Sequence, residues 1–393
     1  MRNRRDLVVV ALGGLLALTA CQAGTGQEIR PLAGESAPTT TTGSAAPASS
    51  PTTKPSPTKS AAPKKTKSLP KPGNSQGKAT VPAAARAIDT SKPNRTVGTG
   101  TAASCTSAAV VKAVAAGGII TFDCGPEPVT ITMTATAKVR NAHAKTVIDG
   151  GNRVTLSGAG KRRILYMNTC DEAQGWTTSH CQDQDTPKLT IQNMAFTRGN
   201  STGDKTEGGG GGAVLVRGGN LKIVNSRFTG NRCDRTGPDL GGAAVRVLDQ
   251  GGDRPVYVVG STFTGGVCSN GAALSSIGVS WTVLNSRFSG NEAVGKGANP
   301  ARGGTPGGGS GGAIYLDGDR FNLTLDGTVI EGNRAVEGGG AVFFVSNDRT
   351  GTLKIRNSTL RRNPSEGFET DGLPGIFYLG SGNPAVTGSS LKK

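Results

Sequence analysis

Between residues 189 and 360 the chain repeats a short run in which apolar and polar residues alternate, followed by Asn-Ser or a substitute and one large apolar residue. The copies start at Leu189, Leu221, Val256, Trp281, Leu323 and Leu353, and their apolar anchors are Phe196, Phe228, Phe263, Phe288, Ile330 and Leu360. These anchors are spaced 32, 35, 25, 42 and 30 residues apart. Between the copies stands a second element, Gly-Gly-Ala or a near equivalent followed by an apolar run. It begins at Gly211, Gly241, Asn270, Gly311 and Gly339, with a looser copy at Pro374. Alternation with period two puts successive side chains on opposite faces, so both elements read as β-strands. Each unit holds too few apolar residues to bury a face alone. Stacked as coils, the units share ladders and one continuous core. Glycine suits the corners, where the chain turns with φ above zero. A propeller would need about four strands per 40 residues and a steadier period. The pattern predicts an all-β parallel β-helix, with Asn193, Asn225, Asn285 and Asn357 stacking their amides from coil to coil.

Other segments fit the same solenoid. Ser104 to Gly118 reads as a short helix with a polar start and a glycine stop, placed to cover the open first coil. Ile119–Phe122, Val129–Thr132 and Thr146–Leu156 read as early strands. Cys233 and Cys268 end equivalent stretches, Phe-Thr-Gly-Asn-Arg-Cys and Phe-Thr-Gly-Gly-Val-Cys. Stacking therefore puts them one rung apart, about 4.8 Å, within disulfide reach. Cys105 with Cys124 and Cys170 with Cys181 are the remaining expected pairs, each closing a local loop. An even number of cysteines after Cys21 points to an oxidising compartment.

The first hundred residues have a different character. Arg2, Arg4 and Arg5 precede an apolar run from Leu7 to Ala20, which is shorter than the roughly 20 residues of a membrane span and reads as a signal peptide over 1–20. The run ends in Leu18-Thr-Ala-Cys21, which resembles a lipobox, so Cys21 is the expected lipid attachment site and membrane anchor. Residues 21–95 are rich in Pro, Ala, Ser, Thr and Lys and predict a disordered tether, leaving 96–393 as the β-helix domain. Of the formal charge of +17, +10 lies in residues 1–95. The basic balance is therefore mainly the tether's. It argues for anionic lipid or wall polymer rather than nucleic acid.

The Gly-Gly-Ala and Phe-x-x-Asn pairing resembles the repeats of polymorphic outer-membrane proteins. Residues 100–380 are similar to bacterial right-handed parallel β-helix repeat proteins of the pectin-lyase-like superfamily. That resemblance implies a right-handed solenoid, and it leaves function open among lyases, hydrolases, adhesins and binding proteins. Hydrolases on this fold use clustered aspartates and a Gly-His-Gly histidine. His143 and His180 have no such neighbours, and His180 reads as a solvated loop residue. Lyases on this fold use acidic residues to hold calcium, with Arg or Lys as base. The best match is Asp234, Asp239, Arg246 and Asp249, with Asp253 and Arg254 nearby. Arg246 stands at a strand position read as equivalent to Val216, Ser275, Leu316, Phe344 and Leu379, with Asp249 as its expected surface partner. Asp171, Asp183 and Asp185 form a second acidic group, read as a solvated loop. Loops at 201–210, 232–240 and 292–310 leave one edge of the solenoid, as binding loops of repeat proteins do. Tyr315, Phe343 and Tyr378 share one offset after the glycine, and read as a core ladder or, if outward, a platform for sugar rings.

The expectation is an extracytoplasmic, lipid-anchored monomer that binds a polysaccharide or cell-surface ligand without catalysis, needing no cofactor or metal. The alternative is a polysaccharide lyase-like enzyme built on Asp239, Arg246 and Asp249, with calcium entering only in that case.

Overall fold

A computed structural model of the chain describes residues 67–297 and 306–393. The expected signal peptide, Cys21 and the part of the expected tether before residue 67 lie outside the described residues, as do residues 298–305. The repeat becomes a parallel β-helix: the strands form sheets of 17, 8 and three members, and the ladders between coils run parallel. Each copy of the first element contributes a strand on either side of a corner residue. Asn193, Asn225, Gly260, Asn285, Gly327 and Asn357 turn these corners, with φ between 46° and 61°. Asparagine and glycine tolerate this left-handed conformation best, which is why the position accepts only these two. The Gly-Gly-Ala run supplies the eight-stranded sheet, through Val214–Arg217, Val245–Leu248, Leu274–Ile277, Ile314–Gly318, Val342–Ser346 and Ile376–Leu379.

Packing follows the predicted register. Phe196, Phe228, Phe263, Phe288, Ile330 and Leu360 pair in sequence up the solenoid. The four phenyl rings stack with centroids 5.0, 4.9 and 4.8 Å apart. They belong to one apolar interior that extends from Val97 to Tyr378. Such like-on-like stacking buries each ring against its neighbours and adds roughly 0.5–1.5 kcal/mol per pair beyond the area removed from water.

The predicted amide ladder forms only in part. Asn225 donates to Asn193 at 3.4 Å, but Gly260 and Gly327 interrupt the column. A three-member amide ladder lies elsewhere, on the Gly-Asn asparagines inside the coil, below which Gly266 breaks that column too. Asn291 Nδ2 donates to Asn333 Oδ1 at 2.8 Å, and Asn333 Nδ2 to Asn363 Oδ1 at 2.9 Å, all three buried. A hydroxyl ladder runs beside the corners, where each backbone N–H of Ser226, Ser261, Ser286 and Thr328 donates to the hydroxyl one coil on. These ladders satisfy polar groups that the turns bring indoors.

The helix Ser107–Ala116 forms as expected, capped by the Thr106 side chain and stopped at Gly117. It packs on Arg95–Val97 and on Ala137–Lys138, the end strand of the eight-stranded sheet, and buries Val110, Ala113 and Val114 over the first coil. The disulfides pair Cys105 with Cys124, Cys170 with Cys181, and Cys233 with Cys268, the last with Cα atoms 4.8 Å apart.

Residues 67–94 lie against the solenoid, although their composition predicts disorder. Gly73 and Asn74 bond to Thr262 and Asn285, Ala79 to Asn285, Ile88 to Gln192 and Thr90 to Asp149. The segment runs up the corner column and back down before entering the first strand. Ala85 is buried with Val224, Val259 and Leu284, and Ala79 and Val81 pack beside them. A Cβ on Gly77 would stand 2.6 Å from Asn285 Oδ1 and from the Gly327 carbonyl. The close approach is available only to bare backbone.

Candidate functional site

The outer face of the eight-stranded sheet carries the charged residues that matter. Arg246 pairs with Leu215 on one side and Ser275 on the other, and Ser275 pairs with Tyr315. The expected equivalence with Val216, Leu316 and Phe344 is therefore off by one. Val216 pairs with Val247, and Val216, Val247, Leu316 and Phe344 belong to the interior. Alternation then sends Arg246, Ser275, Tyr315 and Phe343 outward.

Outward does not mean exposed. The loop at 201–211 folds over Arg246, and glycine makes this possible: a Cβ on Gly210 would lie 2.8 Å from Arg246 Cδ. Arg163 holds the loop down. Its Nε donates to Gly211 O at 3.0 Å, Nη2 to Gly210 O at 2.8 Å and Nη1 to Asp204 at 2.7 Å. Burial lowers the Arg163 pKa, and Asp204 opposes that shift. The next loop is pinned by Leu240, packed with Cys233, Cys268 and Ala243, so the inter-coil disulfide also fixes the loop that bears Asp239. Asp234 ties the two loops together, accepting from Gly203 N at 3.1 Å with Lys205 Nζ 3.6 Å away.

Electrostatics sort the acidic residues into separate groups. Burial pushes the Arg246 guanidinium down to about 10, while Asp239 pulls the other way. Tyr315 donates its hydroxyl to Asp317 at 3.0 Å, and burial raises the pKa of both, with Asp239 adding to each shift. Arg246, Tyr315, Asp317 and the exposed Asp239 thus form one electrostatic group. Asp249 is not the partner of Arg246. It faces Arg217 at 3.5 Å, and Arg217 is held by Glu207 at 2.6 Å. Burial raises Asp249, against the pull of Arg217. Asp249 instead lines a cavity of about 250 Å³ with Asp183, Asp253, Arg254 and Arg320. There Asp183 accepts from Gly252 N at 2.9 Å, and Arg254 pairs with Asp185. Asp171 is elsewhere again, accepting from Tyr166 and Gln174.

The aromatic column needs one correction. Tyr315 and Phe343 stack at 4.9 Å, and the next ring is Phe377 at 5.2 Å, not Tyr378. Tyr378 pairs with Phe344 and is part of the interior. Counting from glycine misplaced it, because Gly375 sits beside Ala341 and so falls out of the glycine register. Phe368 stands edge-on against Phe343 and Phe377, and Tyr315 and Phe343 are only 5% and 8% exposed. Neither a fully interior ladder nor an open sugar platform describes them. They are an outer column beneath loops.

His143 bonds to the Ala115 carbonyl under the capping helix, and His180 is exposed beside Cys181. Among the described residues, no three His, Cys, Asp or Glu side chains are placed to hold a metal ion, so the donor set expected for calcium under the lyase alternative is not assembled there. Also among them, no helix is long and apolar enough to cross a membrane. Arg163, Asp204, Glu207, Arg217 and Asp317 were not singled out from sequence. For Glu207, Arg217 and Asp317 the legible signal was a charge beside or inside a Gly-Gly-Ala run; Arg163 and Asp204 carried no such mark. Comparison with protein-family models, with curated proteins and with solved structures gives no match.

Proposed function

We propose that the chain is an extracytoplasmic, lipid-anchored protein that binds a polysaccharide on the outer face of its eight-stranded sheet. One observation carries this reading. Arg246, Ser275 and Tyr315 stand on three successive rungs, flanked by Asp239 and Asp317 and walled by the 201–211 and 232–240 loops. A solenoid needs only apolar or small residues on that face. Charged residues under loops on one side are what a binding site in a repeat protein requires.

A second reading, a polysaccharide-cleaving enzyme at the same place, is favoured by the carboxylate pair. Asp317 is raised by burial, and Asp239 lies at the exposed rim. A carboxyl kept protonated by burial beside a second carboxyl is the kind of group that serves as the general acid in glycoside chemistry. The experiment is to incubate the full chain with acidic and neutral polysaccharides, measuring affinity and new reducing ends together. Saturable binding without new ends supports the binding protein. New ends lost in Asp317→Asn establish the enzyme, and neither signal on any polymer overturns both.

A further inference from the structure

Two arginines lie buried beside the 201–211 loop, each 4% exposed. Arg163 is fully partnered, with Nε, Nη1 and Nη2 all donating. Arg246 is the opposite case. Its Nε and Nη1 are shut away from solvent and donate to nothing among the described residues. Asp239 and Glu207 act on it only at a distance, and Glu207 is already engaged by Asn168 and Arg217.

The neighbouring rung repeats the anomaly. Ser275, directly beside Arg246 in the ladder, is fully buried with an unpartnered Oγ. Walls of bare backbone enclose both. A Cβ on Gly210 would stand 3.0 Å from Arg246 Nη1, and one on Gly241 would stand 2.5 Å from Ser275 Oγ. Tyr315 closes the row on the third rung. A buried guanidinium without an anion is among the costliest groups a fold can carry, and this chain shows at Arg163 how it satisfies one. Orphaned polar groups on adjacent rungs, closed off from solvent, mark a place prepared for a partner from outside.

We propose that the Arg246–Ser275–Tyr315 row is an oxyanion subsite, taking the carboxylate or sulfate ester of a bound carbohydrate. This rests on the carbohydrate-binding reading of that face and names the ligand chemistry. The guanidinium supplies charge and the Ser275 hydroxyl a further hydrogen bond.

The test uses the full chain with acetate, sulfate and phosphate, against chloride at matched ionic strength, read by thermal midpoint and calorimetric titration. A saturable response to acetate or sulfate is expected, absent in Arg246→Met and weakened roughly 2- to 10-fold in Ser275→Ala. Without added oxyanion, Arg246→Met is expected to melt higher than the parent, because it removes an unpaired buried charge. A lower midpoint for Arg246→Met together with no oxyanion response overturns the proposal and makes Arg246 structural. An oxyanion response that appears only in Asp239→Asn also overturns it, with Asp239 as the internal partner. If Arg246→Met fails to fold, Arg246→Lys takes its place: it keeps the charge but not the planar fork, and an unchanged response there refutes guanidinium recognition. Polysaccharide binding that survives in Arg246→Met without any oxyanion response sinks the subsite alone. An oxyanion response without polysaccharide binding sinks the functional reading alone.

Discussion

Replacing Asn333 with alanine tests whether the interior amide ladder, rather than the corner asparagines, stabilises the stack. Asn333 Oδ1 accepts from Asn291 N at 3.0 Å and from Asn291 Nδ2 at 2.8 Å. Its Nδ2 donates to Asn363 Oδ1 at 2.9 Å and to the Phe288 carbonyl at 3.2 Å. All of these groups are buried, so water cannot replace the lost partner. Two donors on Asn291 lose their acceptor at once, and an orphaned buried donor costs about 1–3 kcal/mol. Asn291 Nδ2 keeps the Phe263 carbonyl at 3.1 Å, which holds the total toward the lower end, about 3 kcal/mol. For a domain of roughly 300 residues that is a fall of about 6 °C in melting midpoint. The control is Asn225→Gly. Asn225 turns a corner with φ of 47°, its contact to Asn193 is long at 3.4 Å, and Gly260 already serves the equivalent position. That variant should stay within about 0.5 kcal/mol of the parent. Thermal and guanidinium unfolding of both variants decide the matter. A cost below about 1 kcal/mol for Asn333→Ala, or an equal cost for Asn225→Gly, would refute the reasoning.

Phe263 stacks on both Phe228 and Phe288, so Phe263→Ala should cost about 4 kcal/mol by equilibrium unfolding, and Phe263→Leu about 1.5 kcal/mol because Ile330 and Leu360 continue the same column. Removing the Cys233–Cys268 bridge with serine at both positions frees a loop of separation 35, worth about 3–4 kcal/mol on the chain-entropy model; a melting point unchanged by reduction would contradict it. In the single variant Cys233→Ser, Cys268 is 0% exposed and should label with a thiol reagent only after denaturation. The Arg361 hydrogen bond, helped by Arg287 and Arg362, holds the Glu331 carboxyl below its ordinary 4.5. Its stabilisation is thus full above that value and lost as pH falls through the lower folded one. Glu331→Gln should cost about 1 kcal/mol at neutral pH, since its arginines are half-exposed, and match the parent once acid protonates Glu331.

Much of the architecture is legible in the chain because a stacked coil repeats its constraints locally. Period-two runs, a corner residue that tolerates positive φ, and one large anchor per turn are each visible in a single unit, and the anchors at 196 through 360 pair as read. Cys233 and Cys268 follow from the same register, since equivalent positions must meet one rung apart. The helix before Gly117 carries its own start and stop.

Other features depend on contacts that no local pattern encodes. The Tyr378 position was lost by counting from a glycine, whereas the ladder is set by Ile376 against Val342. One residue of slip exchanges the two faces of a strand, and a separate slip set Arg246 level with Val216, Leu316 and Phe344, which are interior. Residues 67–94 have little apolar surface of their own, so their composition predicts disorder. They are ordered by a column of ready-made partners on the solenoid, including Asn285 and Gln192. The candidate site belongs to this second kind. Whether Arg246 is solvated, paired with Asp249 or buried without a partner depends on how the 201–211 and 232–240 loops fold back. That is decided by Arg163, Leu240 and a disulfide, each remote in sequence from at least one part of what it holds. Sequence alone determined the periodicity, and with it the rungs and the Cys233–Cys268 pair, because short-range sterics and side-chain alternation act within each unit and every unit repeats them. Only the tertiary structure decided which charged side chains meet and which are left without partners, because burial and electrostatics depend on neighbours that the chain order does not place.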